Sequence, residues 1–206
     1  MARSAALGEP GQNEGGHSRL AVIVAGAVAV VAATPFLRLL HVGSADAASK
    51  AEDERILQLV LKLEYTQVAF YQQALRHASL AGELRRFAQI ALGHEQKHLG
   101  AIQTALGAKA GPKPTFDFGA NTKSPDAFRR SAIKLEDIAV AGYNGQATNL
   151  TKGTLAAAAE IVSVEARHAA WVRAIAGQVA APDPVDKPMT AAEVAAGLHE
   201  LGLRTA

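Results

Sequence analysis

The chain has 206 residues, 49% hydrophobic, 19% charged and 5% aromatic, with a formal net charge of +2 and no cysteine. That length suits one domain plus a short appendage, and the small charge, with no basic stripe or interleaved aromatics, excludes nucleic-acid binding. Absence of cysteine excludes disulfides, Fe–S clusters and thiolate zinc sites, while the abundance of Ala and Leu, strong helix formers, favours an all-α class.

Residues 1–19 are polar, with Arg3 and Arg19 as their positive charges, and are followed by the 14-residue apolar run Leu20–Ala33. Thr34-Pro35 and the small-residue stretch Ala45-Asp46-Ala47 come next. This is the order of a secretory signal: charged region, apolar region, then an A-x-A site. No charge interrupts residues 20–37. As a helix they would span about 27 Å, so a retained membrane anchor is the main rival. With no twin-arginine pair, export by the general secretory route is expected, to the periplasm, cell envelope or exterior. The expected division is 1–47 as signal or anchor and 48–206 as the folded domain.

The first helix is expected over Glu52–Ala78, with Leu57, Leu61, Val68, Tyr71 and Leu75 at three-four spacing and Glu64 in the missing slot. The second is expected over Leu80–Leu106, its stripe reading Leu84, Ala88, Ala91, Glu95, His98, Ile102 and Ala105. Gly107–Lys123 is a 17-residue connection, too long for a simple antiparallel turn. It suits the one long crossover that joins two helix hairpins in some four-helix bundles. Ser124-Pro125 opens the third helix as cap and first-turn proline, with Phe128, Ala132, Ala139, Tyr143 and Ala147 on its stripe and Glu136 between. The fourth, Thr154–Ala176, carries Ala158, Ile161, Glu165, His168, Val172 and Ile175. Gly107 and Gly177 stop helices two and four. Thr190-x-x-Glu193 is a capping box that opens a short C-terminal helix ending near Leu201.

Two helices carry Glu-x-x-His, as Glu95-Gln96-Lys97-His98 and Glu165-Ala166-Arg167-His168. Residues three apart share a helix face, so each carboxylate and imidazole can converge on one ion. Each motif follows a lone glutamate, Glu64 by 31 residues and Glu136 by 29. The halves repeat in register: the equivalent glutamates are offset by 72 and 70 residues, and Tyr71 and Tyr143 each lie seven beyond their glutamate. A duplicated hairpin accounts for this. Four carboxylates in one core would repel and resist ionisation unaided. Two divalent cations balance them, and mixed carboxylate–imidazole ligation suits two iron or manganese ions with positions open to O2, peroxide or water. The expected ligands are Glu64, Glu95, His98, Glu136, Glu165 and His168.

Singly, each glutamate is better read as a solvated helix face and each histidine as a core hydrogen bond; six on apolar seams in the right order favour metal. Tyr71, Tyr143 and Trp171 are expected to be seam packing, with the tyrosine hydroxyls hydrogen-bonded. His94-Glu95-Gln96-Lys97-His98 also reads H-E-x-x-H, a zinc-peptidase pattern. That reading leaves Glu64, Glu136 and the second Glu-x-x-His without a purpose, since Val164 stands where a second His94 would. His94 is therefore expected beside the ligands.

On Glu64…Phe70-Tyr71, His94-Glu95…His98, Phe116-Asp117-Phe118, Leu135-Glu136-Asp137…Tyr143 and Val164-Glu165-Ala166-Arg167-His168-Ala169, the chain from Glu52 onward resembles the ferritin-like superfamily. More narrowly it resembles the desiccation-related ferritin-like family. The resemblance implies a four-helix bundle, a dinuclear metal site and frequent export, without fixing a reaction. The expectation is an exported di-iron or di-manganese oxidoreductase that oxidises Fe(II) or consumes peroxide in stress protection. The rival is a non-catalytic structural or stress-protective envelope protein with the same bundle. Nothing in the sequence signals cage assembly.

Overall fold

The computed structural model describes residues 48–204, and the signal or anchor expected within 1–47 lies outside the described residues. No described helix is long and apolar enough to cross a membrane.

Local chemistry sets the helix limits. Ser49 starts α1 (Lys50–His77) by accepting from the Glu52 N–H at 3.1 Å, with Glu52 and Asp53 in the first turn. Acidic side chains there meet the positive end of the helix dipole. After a four-residue turn, α2 runs Gly82–Leu106 and ends at Gly107, whose φ of +54° a side chain would strain. Ser124 caps α3 (Pro125–Gln146), accepting from the Ala127 N–H at 3.2 Å, with Pro125 in the first turn. The N-cap of α4 (Lys152–Ile175), Thr151, makes no side-chain cap of its own. Asp53 of α1 serves instead, accepting the Thr151 N–H at 2.8 Å and the Thr151 and Thr154 hydroxyls at 2.5 and 2.6 Å. The start of α4 is thereby tied to α1. The capping box forms as expected and opens α5 (Ala191–Leu201).

These are four long helices in two hairpins, α1 with α2 and α3 with α4, joined by one long crossover, as expected. The crossover is structured. It contains a 3-10 turn at Gly107–Lys109, a two-residue strand β1 (Thr115–Phe116) and a second 3-10 turn at Gly119–Thr122. β1 pairs antiparallel with β2 (Leu203–Arg204), an addition to an otherwise all-α fold. Gly202 makes that closure possible. Its φ is +130°, and a Cβ there would lie 2.3 Å from the Asp117 carbonyl oxygen. The short helix α5 lies against α3 with Val194, Leu198 and Leu201 buried. Phe118 of the crossover joins Phe70, Tyr71, Phe87 and Phe128 in the core. Ala105, expected on the α2 stripe, is exposed, because that end of α2 faces an open cleft.

Candidate metal centre

Glu64, Glu95, Glu136 and Glu165, one from each long helix, are all 0% exposed, and His168 is 2% exposed. Their ligand atoms fall into two overlapping groups, each within 4.8 Å: Glu64, Glu95, His98 and Glu165, then Glu95, Glu136, Glu165 and His168. All six expected residues are therefore brought together. Glu95 and Glu165, the acids of the two Glu-x-x-His motifs, belong to both groups. Glu64 and His98 belong to the first group only, Glu136 and His168 to the second only.

Both histidines turn Nδ1 inward. His98 Nδ1 lies 2.9 Å from Glu165 Oε1, 3.0 Å from Glu95 Oε2 and 3.8 Å from Glu64 Oε2. His168 Nδ1 lies 3.0 Å from Glu95 Oε1, 3.6 Å from Glu136 Oε2 and 3.9 Å from Glu165 Oε2. Of these contacts only His98 Nδ1 to Glu95 Oε2 is aligned as a hydrogen bond. Glu64 Oε2, Glu95 Oε1, Glu165 Oε1 and His168 Nδ1 are buried with no aligned hydrogen-bond partner. Each such atom costs about 1–3 kcal/mol if left unsatisfied. Three buried carboxylate oxygens and one imidazole nitrogen left without hydrogen bonds, beside four carboxylates in one core, are compatible with metal binding.

The opposite oxygens of the outer glutamates are held by tyrosines, and the bonds cross. Tyr143 of α3 donates to Glu64 Oε1 of α1 at 2.6 Å, and Tyr71 of α1 donates to Glu136 Oε1 of α3. The hydroxyl bonds expected of Tyr71 and Tyr143 are present, with a candidate ligand on the opposite helix as partner. The crossing also shows that α1 and α3 run antiparallel. Burial, and next the facing carboxylate, pushes both phenol pKa values well above the usual range, so both remain donors. Gln67 Nε2 donates to Glu165 Oε2 at 2.9 Å and reaches Glu136 Oε2 at 3.4 Å. The sequence reading missed Gln67. Its signal was a polar side chain three residues after Glu64, on the same apolar face.

His94 Nδ1 meets His168 Nε2 at 2.9 Å, the rings stacked with centroids 5.1 Å apart. Occupying Nε2 fixes which His168 nitrogen faces the carboxylates. Val164, at the equivalent place in α4, gives His98 no such bond. His94 belongs to neither ligand group, whereas Glu95 belongs to both. That is the reverse of what an H-E-x-x-H zinc site requires.

Without metal the cluster stores protons. Burial, and then repulsion from neighbouring glutamates, raises the Glu64 and Glu165 pKa values well above the ordinary carboxyl range. Burial acts against charge on the two histidines, but the carboxylates that face each Nδ1 outweigh it, lifting His98 to about 9 and His168 to about 10. Burial would raise Glu95 too, yet His168 and His98 hold it at about 2. Burial, then the His168 charge, holds His94 below its ordinary value. Metal binding must therefore expel protons from both Nδ1 atoms and from the raised carboxyls.

Two cavities flank the centre. One, of about 460 Å³, opens directly over it and is lined by His94, Lys97, His98, Val164, Arg167, His168 and Trp171. The larger, of about 680 Å³, runs between the start of α1, the end of α2 and the start of α4. Tyr143, Ile56, Ile102 and Ile161 are among its walls, and none of the six candidate ligands is. The smaller cavity is the one that reaches candidate ligands, His98 and His168. A family model described as a ferritin-like domain matches residues 52–178. No curated protein matches the chain.

Proposed function

This chain belongs to the ferritin-like domain family, and on that premise we propose that it is an exported di-iron or di-manganese carboxylate protein that oxidises Fe(II) or consumes peroxide in stress protection. The observation that carries this reading is the sharing of Glu95 and Glu165 between two four-residue groups. A single structural ion would need only one group. Two iron or manganese ions would supply the one-electron steps that O2 or peroxide chemistry requires. The protein's part is to hold the ligands. Tyr143 and Tyr71 orient Glu64 and Glu136 through one oxygen each, Gln67 restrains Glu165, and His94 sets the His168 tautomer. The proposal of export rests on the order of residues 1–47, as does the division at residue 47 into a signal or anchor and a folded domain.

The test is metal analysis after anaerobic reconstitution, followed by steady-state rates of Fe(II) oxidation and peroxide decomposition. The expected result is two ions per chain and rates well above free metal. Fewer than one ion per chain contradicts the metal reading. A loaded protein no faster than free metal points to a structural or protective envelope protein.

A further inference from the structure

Of the two cavities described above, only the smaller is lined by candidate ligands. These are the two histidines, and none of the four glutamates lines it. The His98 side chain, 12% exposed, is the one ligand that reaches the outside appreciably. The walls at this mouth carry one sign of charge. Lys97 and Arg167 both line it, both are exposed, and neither is in an ion pair among the described residues. No carboxylate lines it. Glu83 sits beyond Trp171, accepting its indole N–H at 3.0 Å, outside the lining. The two cations occupy the same register, each directly before the histidine of its Glu-x-x-His, so the duplicated hairpins place one on either side of the opening.

We infer that this mouth favours small anions over dications and leaves neutral molecules unhindered, so that free Fe2+ is slowed there and, of the two reactions proposed above, consumption of peroxide is the one it suits. This rests on the dinuclear reading above. Two dications, four carboxylates and two neutral imidazoles sum to no net charge, so the field at the mouth of a loaded centre is set by Lys97 and Arg167. A cleft lined by one sign of charge focuses its field and raises the local concentration of opposite charges, by roughly 10- to 1,000-fold at low ionic strength. A dication feels twice the opposing force of a monocation, so repeated passage of Fe2+ is disfavoured where passage of a monovalent anion is helped. About 460 Å³ has room for a triatomic anion, an oxyanion or a short carboxylate.

Cobalt(II) as the ion and azide as the anion test this through absorbance, without turnover. The full chain is compared with the double variants Lys97→Gln/Arg167→Gln and Lys97→Glu/Arg167→Glu, whose thermal unfolding checks that these exposed changes leave the fold intact. In wild type, azide association with the cobalt-loaded protein should slow steeply as salt rises, because screening shortens the field to about 8 Å at physiological ionic strength. Neutralising both charges should slow it about tenfold at low salt and flatten that dependence. Reversing them should speed cobalt uptake by the apo protein by a similar factor. Azide association indifferent to salt and to both variants, or cobalt uptake slowed by charge reversal, overturns the inference and leaves the dinuclear reading standing. A wild-type chain that takes up no cobalt overturns both.

Discussion

The two ends of the bundle occupy equivalent places in the repeat and are packed in opposite ways. Phe87 and Phe128 each lie eight residues before a candidate ligand, Glu95 and Glu136; their counterparts before Glu165 and Glu64 are Ala157 and Ile56. Trp171, six residues after Glu165, corresponds to Ala101. At the first end the aromatics fill the space. Phe87 lies 5.3 Å from Trp171 and 5.8 Å from Tyr71, and Phe70 stacks on Phe128 at 5.4 Å. At the second end Ile56, Ala101 and Ala157 line the cleft of about 680 Å³. The tyrosines are the same at both ends and make the same crossed bond. The hydrogen-bonding tyrosines repeat in both halves, whereas the other contacts to the candidate ligands do not, since His94 and Gln67 correspond to Val164 and Ala139, and the residues that only fill volume differ as well.

The most disruptive way to break this comparison is Phe87→Ala. It opens a cavity in the filled end and should cost about 3–5 kcal/mol in chemical denaturation. A cost below about 1 kcal/mol would mean that the aromatic cluster is loosely packed.

Metal should then stabilise both ends through the shared centre, by about 4 kcal/mol at a thousandfold excess over Kd, and the gain should depend on pH. In the apo form His98 and His168 stabilise the fold fully below their ordinary value of 6.5, and that contribution is lost as pH rises through about 9 and about 10. The raised Glu64 and Glu165 act in the same direction, favouring the fold below their ordinary 4.5 and losing that advantage as pH rises. Glu95, held at about 2, contributes above 4.5 and loses it as pH falls toward 2. Apo melting temperatures should therefore fall from mildly acidic to alkaline pH. Metal needs the same protons gone, so its melting shift should grow between pH 5.5 and pH 8.5. A shift that shrinks over that range contradicts the proposed ligands.

Smaller effects separate what the ends share from what they do not. Tyr71→Phe and Tyr143→Phe each leave one buried carboxylate oxygen unpaired and should cost about 1–3 kcal/mol in apo stability, similarly at both ends. A large difference between them would show that the packing, not the hydrogen bond, governs the outer glutamates. Smallest of all should be Ala157→Phe, which restores the missing ring where there is room for it. It should change stability by less than about 1 kcal/mol, where an added ring in a full core costs about 1–3.

Much of this was legible because the chemistry is local. Ser124-Pro125 and Thr190-x-x-Glu193 carry their own capping geometry, and three-four spacing exposed each glutamate as a polar slot in an apolar stripe. The start of α1 was placed two residues late because Ser49, its cap, stands before the first acidic residue. The β1–β2 ladder left no trace, since two-residue strands have no periodicity and Thr115 pairs with Arg204 across the whole domain. Gln67 and the crossing of the tyrosine bonds depend on which helices face each other. The cleft was invisible because Ala101, Ala105 and Ala157 look like helix formers whether they pack or face open space.

The central claim is one dinuclear centre in which Glu95 and Glu165 are shared. Native mass spectrometry of the reconstituted protein tests it most directly, comparing wild type with Glu64→Ala, Glu136→Ala and Glu165→Ala. Wild type should hold two ions per chain, each outer variant should keep one, and Glu165→Ala should lose both. Two ions retained in Glu165→Ala, or a wild type that saturates at one, would contradict it.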